Sequence, residues 1–384
     1  MPSKIAALTS GFAIALTLAL ASVPMSVSAQ ASGPAYKTDV KNSSGRDLDN
    51  MNDEVKGYNQ LLHDSGKFVE ISPEAQVAAM GSGINAIGGY DPYWEGKPTK
   101  FKDSDFARIK AAGFKTVRVP LFTFKHIVDT QGHLDPNWLD RLDHIIELAV
   151  KNKLTIILDE HDFDDCAKDT DACAILLPNI WYDLTERYKS MPNTVIFELL
   201  NEPHGAIDDK LWNAWIDGLV SIVRETNPTR NIIVGPIGWN SADKLDTMVL
   251  PAKDRHIIVT FHYYTPMEFT HQGANWAGPE LSKLRDVRWT GTSEQVAKIN
   301  SDFDKVSAWS KANNRPIFLG EYGSYGAFNP NIDDRAAWTR AISKAADDRG
   351  FARAYWYFED GNGFGAWDRD SDNWKAPILK ALIP

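Results

Sequence analysis

With 384 residues and 43% hydrophobic content, this chain has material for one large buried core or two ordinary ones, and it does not read as a disordered polypeptide. Its formal charge of -10 argues against nucleic acid or an anionic membrane as partner, because both reward clustered Lys and Arg. Two cysteines, Cys166 and Cys173, supply too few ligands for zinc.

Residues 1–31 carry one early cation, Lys4, then an apolar stretch from Phe12 to Val23, then Pro24 and small residues through Ala29 and Ala31. This is the layout of a secretory signal peptide, and the run is shorter than the roughly 20 apolar residues of a membrane anchor. The expectation is a cleaved, exported protein, secreted or periplasmic, with no membrane contact after cleavage. In an oxidising compartment Cys166 and Cys173 are expected to close a short loop by a disulfide. Residues 32–72 are polar and read as an arm or linker, with a short helix expected over 48–62.

From residue 73 apolar strands alternate with amphipathic helices to the end of the chain. Strands are expected over 82–88, 116–121, 155–160, 194–200, 231–236, 257–261, 317–319 and 352–357. Helices are expected over 103–112, 136–153, 177–190, 208–225, near Ser241, and over 293–313, 335–348 and 377–382. Gly113, Gly350 and the Asn227-Pro228 pair end three of them. Helical crossovers between short apolar strands imply a parallel sheet covered on both faces. Eight such units over roughly 310 residues fit a closed (β/α)8 TIM barrel, a single catalytic domain over 73–384. No glycine-rich phosphate fingerprint follows the first strand, which weakens a dinucleotide-binding alternative.

The stretch 194–205, TVIFELLNEPHG, begins as a buried strand and stops at Asn201, Glu202 and Pro203. Proline lacks a backbone donor and drives the residue before it out of the right-handed helical region, leaving Asn201 and Glu202 at the strand's carboxyl tip. In a barrel all such tips face one bowl. The others bring Arg118, His161, His262, Tyr264, Glu321 and Trp356. Any one of these has an ordinary structural explanation, such as a rim ion pair or a satisfied core imidazole. One polar residue per strand at the same barrel end is a different matter. Two carboxylates, Glu202 and Glu321, suit hydrolysis of an acetal, which needs one acid for the leaving oxygen and one carboxylate for the oxocarbenium carbon.

With Arg118-Val119-Pro120, Asn201-Glu202-Pro203, His262-Tyr263-Tyr264 and Gly320-Glu321-Tyr322-Gly323 in this order, the chain from about residue 77 resembles glycoside hydrolase family 5, the retaining cellulase-type enzymes of clan A. The resemblance implies that Glu202 is the general acid/base and Glu321 the nucleophile. It implies that Asn201 holds the sugar 2-hydroxyl and that Arg118 and Tyr264 hydrogen-bond Glu321. His161 and His262 would order the site and Trp356 would floor the sugar subsite. Independently, a cation beside Glu321 is expected to lower its pKa, while that anion and partial burial raise the pKa of Glu202. The first strand departs from the family pattern at 83–89, GINAIGG.

Aromatic faces pack on pyranose C–H faces, and Trp94, Trp239, Trp276 and Trp367 follow strands where a long cleft would run. The stretch 261–276 resembles the endoglucanases of the family, so internal cleavage of a β-1,4-glucan by a monomer without cofactor or metal is expected. Alternatives are a mixed-linkage glucanase, mannanase or xyloglucanase. A metal-dependent barrel hydrolase, suggested by Asp159, Glu160, His161, Asp162, Asp164 and Asp165, and a non-catalytic polysaccharide-binding protein are alternatives of another class.

Overall fold

The computed structural model describes residues 66–384 apart from 89, 90, 98, 99, 131, 330 and 360–362. The signal segment, the arm as far as residue 65 and the helix expected over 48–62 lie outside the described residues.

Eight parallel strands pair in chain order and close on themselves. They are β1 Ser82–Asn85, β2 Thr116–Leu121, β3 Thr155–Glu160, β4 Val195–Glu198, β5 Ile232–Val234, β6 Ile257–His262, β7 Ile317–Glu321 and β8 Ala352–Tyr355. Closure is made where β1 pairs with β8, Ser82 opposite Arg353. The (β/α)8 barrel expected from the alternation is therefore the observed architecture, and β2 and β3 carry the expected bounds.

Strand residues alternate between barrel lumen and helix layer. Ile157, Ile196, Ile233, Ile258, Phe318, Ala352 and Ala354 fill the lumen together with Val77 and Met80. Those last two come from a helix, Pro73–Met80, that the periodicity does not announce. Ser72 caps it through the Ala75 amide and Pro73 opens its first turn, so local chemistry alone starts the helix. Its apolar residues then plug the N-terminal end of the barrel. The outward-facing neighbours Ile156, Leu158, Val195 and Phe197 belong instead to the large core beneath the helices.

The outer helices start where capping side chains are available: Asp135 before Pro136–Lys151, Asp208 before Asp209–Thr226, and a reciprocal Thr292/Gln295 box before Ser293–Asn313. After β3 the structure departs from expectation. The acidic stretch is helical over Phe163–Lys168, and the next helix, Thr170–Tyr188, starts seven residues before the expected 177 because Asp169 caps the Ala172 amide. Cys166 and Cys173 sit one in each of these helices and form the expected disulfide, with Cα atoms 5.0 Å apart. No described helix is long and apolar enough to cross a membrane.

Candidate active site

The site starts from one cation held inside the barrel. Arg118, on the lumen side of β2, has no exposed surface. A guanidinium there needs its five N–H groups satisfied. Nε and Nη2 form a fork on Glu198 at 2.7 and 2.9 Å, and Nη2 also donates to Asn201 Oδ1 at 2.8 Å. Nη1 donates to Asn85 Oδ1 at 3.0 Å and to Glu321 Oε1 at 2.9 Å, and Asp159 Oδ2 lies 3.0 Å from Nη2. One cation thus gathers carboxylates from β3, β4 and β7.

Glu321 is the last residue of β7, and Tyr264 donates from its phenol to the second oxygen, Oε2, at 2.9 Å. Glu202 follows β4 in a left-handed conformation, φ 40°. This is a sharper turn than a simple strand end, and non-glycine residues enter it at a cost. The turn aims the carboxyl group at His262, whose Nδ1 lies 2.6 Å from Glu202 Oε1 and 3.6 Å from Glu321 Oε2. One oxygen of each carboxylate and a ring nitrogen of His262 lie within 4.8 Å of one another. Barrel closure therefore brings together two acids that are 119 positions apart in the chain.

Burial pushes the Glu202 carboxyl up to about 8; Arg118 and His204 oppose this, and Asp164 and Glu198 add to it. Burial also raises Glu321, opposed by His262 and Arg118. The expected lowering of Glu321 below its ordinary value is therefore corrected: loss of solvent outweighs the cation. His262 and His161 are both held neutral by burial, at about 4 and about 3. Neutral His161 donates from Nδ1 to Asp159 Oδ2 at 2.5 Å, and its Nε2 accepts from Asn201 Nδ2 at 3.3 Å. Both polar ends of the Asn201 side chain are thereby engaged, one on Arg118 and one on His161. Trp356 follows β8, partly exposed, and stacks on His161 at 5.8 Å and 8°.

The five tryptophans separate. Trp239 and Trp276 are 55% and 60% exposed, Trp239 stacked on His204 at 4.7 Å and Trp276 edge-on to Tyr325. Trp94 and Trp367 are corrected, because both are buried. Trp94 stacks on Trp138 and donates to the Gly88 carbonyl. Trp367 is enclosed by Phe358, Trp374 and the Arg108 guanidinium. Neither offers a ring face to a saccharide.

Sequence reasoning passed over Asn85, Glu198 and Asn240. Each is a polar residue at or beside a buried strand tip, and that mismatch between residue and burial was a signal available in the sequence. The acidic run read as a metal alternative is dispersed. Asp159 and His161 face the lumen, Glu160 and Asp162 share the hydroxyl of Thr123, and Asp164 and Asp165 lie in the helix Phe163–Lys168. Glu202, His262 and Glu321 are close enough to share an ion. Glu202 Oε1 is already taken up by His262 Nδ1, and the two oxygens of Glu321 by Arg118 and Tyr264.

The family model "Cellulase (glycosyl hydrolase family 5)" matches residues 77–362. Endoglucanase H of Acetivibrio thermocellus is 32% identical over 322 residues, a match that covers 82% of this chain and 34% of that protein. The chain thus spans about a third of the length of that relative. A hyperthermophilic endo-β-1,4-glucanase solved with substrate superposes with a TM-score of 0.76 at 33% identity, over 82% of this chain and 99% of that one. Thermotoga maritima Cel5A, solved with mannotriose, gives a TM-score of 0.75 at 30% identity, over 81% and 100%. With a barrel of this order, two facing carboxylates and a family model spanning most of its length, the chain belongs to glycosyl hydrolase family 5.

Proposed function

We propose that this protein is an exported endo-β-1,4-glucanase that cleaves internal glucosidic bonds with retention of configuration. The observation that carries this reading is the meeting of Glu202 and Glu321, with facing oxygens inside 4.8 Å. An oxygen-to-oxygen approach this close supports double displacement, in which the two carboxyl groups stand about 5 to 5.5 Å apart, over inversion, which sets them about 6.5 to 9.5 Å apart to admit a water.

Glu202, protonated, gives its proton to the leaving glycosidic oxygen while a Glu321 oxygen bonds to the anomeric carbon and the old C–O bond breaks. Glu202, now ionised, takes a proton from water as that water attacks the same carbon and Glu321 departs. Arg118 and Tyr264 keep Glu321 in line, and neutral His161 fixes Asn201 where a sugar 2-hydroxyl would lie. Trp356, Trp239 and Trp276 are the sugar platforms. The Cys166–Cys173 disulfide supports export.

The test compares wild type with Glu202→Ala and Glu321→Ala on carboxymethyl-cellulose, barley glucan, mannan and xylan, with NMR of the first product. Loss of activity in both variants and initial release of the β anomer are expected. Undiminished turnover in either variant, or initial α anomer, sinks the mechanism. The mannotriose complex of a relative makes mannan the second substrate to try.

A further inference from the structure

Three residues around the site hold a left-handed backbone that only glycine enters freely: Glu202 at φ 40°, Trp239 at φ 61° and Asn240 at φ 54°. The last two follow Gly238, also left-handed, in one turn after β5. The turn sends consecutive side chains opposite ways. Trp239 emerges 55% exposed and Asn240 is fully buried. Its backbone is tied to the turn bearing Glu202 by the Trp239 N–H, 3.4 Å from the Pro203 carbonyl, and Ser241 pairs with His262.

The buried amide meets the site through one atom. Asn240 Nδ2 lies 3.3 Å from His262 Nε2, whereas Asn240 Oδ1 has no hydrogen-bond partner among the described residues. Space above Gly235 is given up to that oxygen, since a Cβ there would stand 2.1 Å from it. An unpaired buried carbonyl is costly, so this arrangement is maintained against a penalty.

Its effect falls on His262, which is faced by Glu202, Glu321, Arg118, Glu198 and His161. An amide N–H pointed at Nε2 makes that nitrogen an acceptor. In a neutral ring the proton then sits on Nδ1, which donates to Glu202 Oε1. Glu202 Oε1 is occupied as an acceptor, and the acid's own proton must reside on Oε2. Turning the amide over would reverse everything: Nε2 would carry the hydrogen, Nδ1 would accept, and the Glu202 proton would be drawn onto Oε1 toward the imidazole. We propose that Asn240 is a positioning residue that sets the tautomer of His262 and thereby keeps the Glu202 proton on the oxygen free to meet the leaving group. The proposal rests on Glu202 being the general acid.

Asn240→Asp keeps the shape and tolerates the left-handed backbone but puts a carboxylate against Nε2. Asn240→Gly keeps the backbone without strain and removes the amide. Each variant is assayed on cellotetraose, whose leaving group needs a proton, and on dinitrophenyl β-cellobioside, whose leaving group does not. Both are expected to lose roughly tenfold or more in kcat/KM on cellotetraose and to stay within about twofold on the aryl substrate, a part of what a general acid contributes. Equal loss on both substrates, or no loss on cellotetraose, overturns the proposal. NMR of the wild type with labelled imidazole nitrogens, His262 assigned by difference from His262→Gln, is expected to show hydrogen on Nδ1; hydrogen on Nε2 overturns it without any variant at position 240. Glu202→Ala on the same two substrates separates the causes. If it shows no split, the acid assignment itself fails; if it shows the split and the position-240 variants do not, only this inference falls.

Discussion

Arg118 Nη1 donates to Glu321 Oε1 at 2.9 Å from a guanidinium that has no exposed surface at all. The same group forks onto Glu198 with its other nitrogens, so the direction from which it approaches Glu321 is set by β4. Lysine carries the charge but not the fork. Arg118→Lys is therefore expected to lower kcat/KM by about 100-fold through misplacement of Glu321. Loss of one partner to a buried carboxylate is also expected to destabilise the fold by about 3 kcal/mol or more. Chemical denaturation and steady-state kinetics on carboxymethyl-cellulose check the two effects separately.

The pH profile should follow the two acids. Glu202 must be protonated to act on the leaving oxygen, and its carboxyl is pushed up to about 8. The logarithm of kcat/KM on cello-oligosaccharides is expected to fall with unit slope as pH rises through about 8. Glu321 must be ionised, and burial raises it above 4.5, so the acid limb is expected above that value. The same limb is expected to be absent from kcat/KM on dinitrophenyl β-cellobioside, whose leaving group needs no proton from Glu202.

Stability has its own pH dependence. Burial, with Asp162 beside it, raises the buried Glu160 carboxyl well above its ordinary 4.5. Above pH 4.5 the unfolded chain ionises this group while burial opposes its ionisation in the folded chain, so its contribution is full below pH 4.5 and is lost as pH rises through the raised folded-state value. Glu160→Gln cannot ionise. Its Tm relative to wild type is expected to improve as pH rises above 4.5, and a difference that stays constant with pH would contradict the raised carboxyl.

Exposed and buried tryptophans should respond differently to truncation. Trp239→Ala and Trp276→Ala are expected to raise KM for cellopentaose several-fold while leaving Tm within a few degrees, because the two rings are 55% and 60% exposed. Trp94→Ala removes a ring stacked on Trp138 and is expected to cost about 3 to 5 kcal/mol of stability. Calorimetry beside oligosaccharide kinetics distinguishes them.

Much of this was legible in the residues themselves. Period and punctuation mark the barrel, since a buried parallel strand must be a short apolar run and a helix must end where glycine or proline stops it. The same logic puts Glu202 at a strand tip, because Pro203 cannot continue a ladder. Arg118, His161, His262 and Glu321 stand out as polar residues beside apolar strands, and the disulfide pairs the cysteines as expected. Tertiary structure decided what local pattern cannot encode. Whether Trp94 faces solvent depends on Trp138, and whether Trp367 does depends on its hairpin partner Trp374, on Phe358 and on Arg108 from the far end of the chain. Whether a cation lowers Glu321 depends on how much water the closed barrel excludes, and there burial prevails. The contact of Asn240 with His262, 22 positions apart, exists only because the β5 turn and the β6 tip meet at the barrel mouth. Alternation and caps are one-dimensional signals; desolvation and side-chain meeting are properties of the enclosed space.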